Sequence, residues 1–187
     1  MFYNFWSKPK ARNSKVQLER LETLPPCDVG APLPSLLADD YRLTLFYLIA
    51  EKLEHWDGKS VRSIGRPTEG EQVAIVRFNF PLAHSFGPPN DEAISGHPYY
   101  GLGLLPYAAF EVHGSEWLDE LKNRNRVHPY HRDELFQDLR HFILVFHDST
   151  LEVVAESFVS EVVDCSSDDR SPQDLAIRSE LDGWANS

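Results

Sequence analysis

A chain of 187 residues, 42% hydrophobic and 12% aromatic, is long enough for one well-buried core and too apolar for a disordered protein. Its formal net charge of −11 speaks against non-specific attraction to nucleic acid or anionic lipid, so no nucleic-acid partner is expected. No apolar run is long enough for a transmembrane segment, the N-terminus has no secretory pattern, and Cys27 and Cys165 are too isolated for a disulfide framework or a zinc ribbon.

A soluble protein resident in the cytoplasm is therefore expected. The charge is unevenly spread, with Lys8, Lys10, Arg12, Lys15 and Arg20 near the start and Asp164, Asp168, Asp169, Asp174, Glu180 and Asp182 near the end. Two solvated termini account for this. The alternative is that Phe2, Phe5 and Trp6 join the cations in an arm for a membrane surface or a protein partner.

In chain order, residues 1–38 read as an extended lead-in, because LPPCDVGAPLPS is broken by Pro25, Pro26, Pro32 and Pro34. Residues 39–165 read as the core domain. Its first strand is DYRLTLFYLIAE (40–51), with a buried helix as the alternative; the Asp57-Gly58 turn dipeptide that follows favours the strand. QVAIVRFNF (72–80) is the next strand, with Ala74, Val76, Phe78 and Phe80 on one face and Val73, Ile75, Arg77 and Asn79 on the other. Residues 81–106, rich in glycine and proline, read as a long loop.

YAAFEVHGS (107–115) resumes a two-residue alternation, and Ser115 is placed to cap a helix carrying Trp117, Leu118 and Leu121 inward. HPYH (128–131) breaks that helix, with His128 or His131 bonding a carbonyl at a helix end, and RDELFQDLR supplies a further helical turn or two. Residues 166–187 read as an acidic tail with a short helix, Ser171 as its N-cap and Pro172 at its first position.

The stretch from His141 to about Val163 reads as a β-hairpin. A two-residue loop at Asp148-Ser149 sets Phe142, Leu144 and Phe146 beside Ala155, Val153 and Leu151, and a four-residue loop preserves the same division of faces. A three-residue loop mixes the faces, so the loop length is even. Phe158 breaks the alternation, which predicts a bulge or strand end near Ser157.

Across one antiparallel sheet the apolar faces line a common core, and the mixed faces gather Arg77, Glu111, His113, His141, His147 and Glu152 on one side. For catalysis the candidates are His147, His113, Glu111 and Glu152, with His147 tuned by Asp148 and Glu152 for acid–base work. For a metal they are His113, His147 and Glu152. His141 and His147 stand ~20 Å apart along one strand and cannot ligate one ion together.

For ligand binding the candidates are Arg77 and the loop residues Asn90, Asp91, Glu92, His97 and Tyr100, with the loop as the lid or rim of a pocket. The loop lacks GxGxxG and Gly-Lys-Ser/Thr, so a phosphate site is weakly supported. Contiguous His147-Asp148-Ser149 is poor geometry for a nucleophilic triad and reads best as a turn.

PPNDEAISGHPYYGLGL, AFEVHGSEWLDEL, NRVHPYH and RHFILVFHDSTLEVVAE are similar to the signature blocks of a bacterial family of uncharacterised proteins, over roughly residues 40–160. The resemblance implies membership and a bacterial setting. It implies no activity, cofactor or catalytic residue.

The expected architecture is one α+β domain, a mainly antiparallel sheet of about five strands with short helices. A protein that binds a small molecule or a protein partner is the preferred function. The alternative is an enzyme using the His/Glu patch for acid–base or metal-assisted chemistry. The residues name no cofactor and no oligomeric state.

Overall fold

The computed structural model describes residues 16–50, 72–164 and 171–186. The aromatic–basic arm, the Asp57-Gly58 turn and Cys165 lie outside the described residues.

Those residues form nine strands: β1 (Gln17–Arg20), β2 (Ser35–Ala38), β3 (Leu43–Leu48), β4 (Gln72–Asn79), β5 (Ala83–Gly87), β6 (Ala108–His113), β7 (Arg140–Val145), β8 (Thr150–Ala155) and β9 (Ser157–Asp164). They pair antiparallel in two sheets, one ordered β1-β6-β7-β8-β5 and the other β2-β3-β4-β9. Helices α1 (Glu116–Asn125) and α2 (Pro172–Ala185) complete one α+β domain. Among the described residues no helix is long and apolar enough to cross a membrane.

The β7–β8 hairpin divides its faces by the expected parity. Phe142, Leu144, Phe146, Leu151, Val153 and Ala155 all enter the core between the sheets, against Leu43, Leu45, Tyr47, Ala74, Val76 and Phe78 of the second sheet. Cross-strand partners are displaced by two from the two-residue register: Leu144 faces Leu151 and Phe142 faces Val153. A bond from Phe146 N–H to the Ser149 carbonyl at 2.8 Å closes the hairpin one residue earlier, so His147 and Asp148 occupy the turn. The predicted break near Ser157 is the point where the chain leaves one sheet for the other. Glu156 links β8 to β9, and Phe158 packs edge-on to Phe142 and Phe78.

The first sheet has the expected five antiparallel strands, and a second sheet of four packs on it, both faces of both sheets being apolar over much of their length. The outer face of the first sheet buries Phe110, Val112, Ile143 and Val145 under Ile94 and Leu104 of the long loop. The outer face of the second buries Phe46, Leu48, Val73 and Ile75 under Ala176 of α2. Fully buried strands carry no alternation to count.

Two segments outside the expected core domain therefore belong to it. The lead-in supplies edge strands β1 and β2, with Leu24 and Cys27 buried, and the tail helix is a layer of the fold. Within the expected 81–106 loop, the first residues form edge strand β5, paired with β8. Ser115 and Ser171 cap α1 and α2 as anticipated, accepting from Leu118 N–H and Asp174 N–H at 3.1 Å each.

Candidate functional site

The histidines and carboxylates do not collect on one side of a sheet. In β6 the apolar face turns outward, with Phe110 opposite Ile143, so Glu111 shares the inner side with Phe142. The candidates His113, His147 and Glu152 consequently stand in three separate clusters at the two ends of β7.

At the hairpin end, His147 meets a loop residue and a tyrosine. Its Nδ1 lies 3.0 Å from Asp91 Oδ2 and 2.9 Å from the Tyr107 hydroxyl, which itself donates to Asp91 Oδ2 at 2.5 Å. The Asp91 N–H in turn donates to the His147 carbonyl at 3.0 Å, so the loop and the turn hold each other in place. The two rings stack with an interplanar angle of 16°. Tyr107 takes a left-handed backbone (φ 56), an unusual conformation for a bulky residue.

The hydrogen bond and charge of Asp91 raise the pKa of His147 above the ordinary histidine value. Hydrogen bonding from Tyr107, and then from His147, holds the Asp91 carboxyl below its usual range. Burial and the neighbouring Asp91 push the Tyr107 phenol upward. The imidazole is therefore anchored through Nδ1, and Nε2 has no protein partner among the described residues. Of the residues expected to tune it, Asp148 adds to the rise through its charge and Glu152 does not touch it.

Asp91→Asn is expected to lower the titration midpoint of His147, read from its imidazole NMR signals. Because the folded-state pKa is raised, the pair stabilises the fold below about pH 6.5, the ordinary histidine value. That contribution is lost as pH rises through the raised pKa. An unmoved midpoint in the variant would show that Asp91 is not the cause.

Tyr107 also lines a cavity of about 150 Å³ between the sheets. Its walls include Leu144, Phe146, Tyr47, Ala109 and Cys27, with Arg20 and Glu22 at its polar side. The first position of the 107–115 alternation was the one sequence signal for Tyr107, and nothing in the sequence tied it to Asp91.

At the other end of β7, His141 is fully buried and bridges two partners. Ser115 Oγ lies 2.8 Å from its Nδ1 and Glu152 Oε2 lies 3.0 Å from its Nε2. His97 brings its Nε2 within 3.5 Å of the other Glu152 oxygen and accepts the Tyr99 N–H at 3.2 Å through Nδ1. Burial alone raises the Glu152 pKa, but the hydrogen bond from His141 and the facing His97 outweigh it and hold the group at about 2. Glu152 is thus ionised, and His141 Nε2 carries its hydrogen.

Ser115–His141–Glu152 has the residue types of a nucleophilic relay. However, Ser115 Oγ is also the cap of α1, and the side chain is buried. The arrangement ties α1 and the long loop to the sheet.

A third cluster lies on β1, β6 and β7. Arg140 donates through Nε and Nη2 to both oxygens of Glu111, the Nε bond measuring 2.9 Å. His113 Nε2 lies 2.8 Å from Glu19 Oε2, and its Nδ1 lies 3.7 Å from Glu111 Oε1. A cleft of about 190 Å³ adjoins them, lined by Glu111, His113, Ser115, Asp119, Arg140 and His141.

The remaining candidates are elsewhere. Arg77 stands on the second sheet, where it binds Glu180 of α2 through Nε and Nη2 and Glu161 of β9 through Nη1. It anchors α2 together with Thr44, which also donates to Glu180, while Trp184 donates to Glu180 from within the helix. Asn90 Oδ1 accepts the Ala93 N–H within its own loop, while Glu92 and Tyr100 are exposed. The loop packs down on the sheet through Ile94, Tyr99 and Leu104. Ser149 Oγ is buried with no hydrogen-bond partner among the described residues, and no triad forms in the turn. His128 and His131 bond locally, His131 to Asp133 at 2.8 Å.

No known family model, curated protein or solved structure matches this chain.

Proposed function

We propose that the protein binds a small molecule with an apolar body and one polar group, where the inter-sheet cavity meets Asp91, Tyr107 and His147. The observation that carries this reading is the double role of Tyr107. Tyr107 lines the cavity, and its hydroxyl belongs to the half-buried acid–base cluster. A largely apolar cavity with a few convergent polar groups is the usual form of a small-molecule site. A volume near 150 Å³ is room for a single benzene-sized ring. Cys27 contributes apolar surface rather than a nucleophile, since burial pushes its thiol up to about 11.

An acid–base enzyme is the second reading, favoured by the Nε2 of His147, which the Asp91 bond leaves free to exchange a proton. We assign the protein to the bacterial cytoplasm and to the uncharacterised family its sequence blocks resemble. The blocks support the family, and the free thiol of Cys27 suits a reducing compartment.

Phenol is a suitable probe, being one ring with one polar group. Ligand-observed NMR should show saturable binding to the full chain. Ala109→Leu, which adds bulk to the cavity wall, should abolish it, and His147→Ala should weaken it. Absence of binding at millimolar phenol, or binding unchanged by Ala109→Leu, overturns the reading.

A further inference from the structure

Three possible ligand groups outside the cavity site cluster at the β1 edge of the first sheet. We propose that Glu19, Glu111 and His113 form a binding site for one divalent transition-metal ion. Alternate positions on β6 put Glu111 and His113 on the same face, and the strand register sets Glu19 directly opposite Glu111. One ligand atom from each lies within 4.8 Å of the others. Metal–ligand bonds of about 2.0–2.2 Å place neighbouring donors about 3–3.5 Å apart, so the exposed Glu19 and His113 close on an ion by side-chain rotation.

Two features beyond proximity support a cation. Like charges facing each other across an antiparallel pair are destabilising, yet Glu19 and Glu111 are so placed. Arg140 holds Glu111 by both carboxylate oxygens, fixing its orientation as an outer-shell partner does, and offsets one of the two charges. The three side chains and Arg140 together leave one net negative charge with His113 neutral, which a divalent ion reverses. The neighbouring cleft of about 190 Å³ has room for water or a ligand group in the open coordination positions.

One imidazole and two carboxylates suit zinc, manganese or ferrous iron. Magnesium and calcium prefer oxygen donors alone. The site is independent of the cavity reading, lying at the opposite end of β7.

The test is calorimetric titration of the full, untagged chain with zinc chloride at pH 7.5. One equivalent should bind, with His113→Ala and Glu19→Gln each lowering affinity at least about tenfold. His84→Ala, on edge strand β5 at the far side of the sheet, should leave binding unchanged. Manganese should broaden amide NMR signals of residues 17–20 and 110–114 in the wild type and not in His113→Ala. No binding at millimolar zinc, binding that His113→Ala leaves intact, or equal affinity for magnesium overturns the proposal.

Discussion

Replacing Glu152 by alanine is expected to destabilise the domain by about 3–5 kcal/mol, the usual cost of removing one partner from a buried pair. The variant leaves His141, which is fully buried, and His97 without the carboxylate that both face. His141 also bonds Ser115, the cap of α1, so a disturbed imidazole reaches the start of that helix. The pH dependence gives an independent check. The Glu152 pKa falls from 4.5 to about 2 on folding, worth about 3 kcal/mol at 1.36 kcal/mol per pKa unit.

A depressed folded-state pKa stabilises the protein above the unfolded value, so this contribution is fully present above about pH 4.5 and is lost as pH falls toward 2. Urea unfolding of the wild type between pH 7 and pH 3 should show the decline, and Glu152→Gln should flatten it while destabilising less at pH 7. A loss under 1 kcal/mol for Glu152→Ala would mean that the buried histidines have found other partners.

Phe142→Ala is the second large effect, expected at about 3–5 kcal/mol for a buried aromatic truncation. Phe142 is fully buried on the central strand of the first sheet, and it joins the two sheets through Phe78 and Phe158, with ring centroids at 6.1 and 5.2 Å. Because β8 passes into β9 beside this cluster, a void there loosens both sheets at the crossover. Phe142→Leu refills most of the space and should cost about 1–2 kcal/mol. Urea denaturation followed by circular dichroism would separate these. Equal stability of the alanine and leucine variants would remove Phe142 from the contacts that unite the sheets.

The hairpin faces were legible because parity is a local property. Alternating residues in β7 and β8 have one wholly apolar set, and any one-residue slip exposes it. The cap of α1 was legible for the same reason, since Ser115 needs only the amides of its own first turn. The two-residue displacement in register was not legible. It preserves parity, and it is settled by contacts from elsewhere, such as the bonds of Asp91 to His147 and of Thr150 Oγ1 to the Pro89 carbonyl.

The patch of six charged and imidazole side chains failed for a different reason. Its premise was one sheet with one solvated face, whereas the long loop covers the outer face of β6 and β7. That cover draws Phe110 and Val112 outward and leaves Glu111 and His113 on the inner side. Arg77 followed the second sheet.

From sequence alone came the fold class, the sided hairpin, the helix caps and the residue types able to do chemistry, all of which depend on spacing within short segments. Tertiary structure alone decided which of them meet. The pairings of His147 with Asp91, of His141 with Ser115 and Glu152, and of His113 with Glu19 join residues far apart in the chain. Such pairings follow from strand order and from which layer covers which face, and neither leaves a mark on local periodicity.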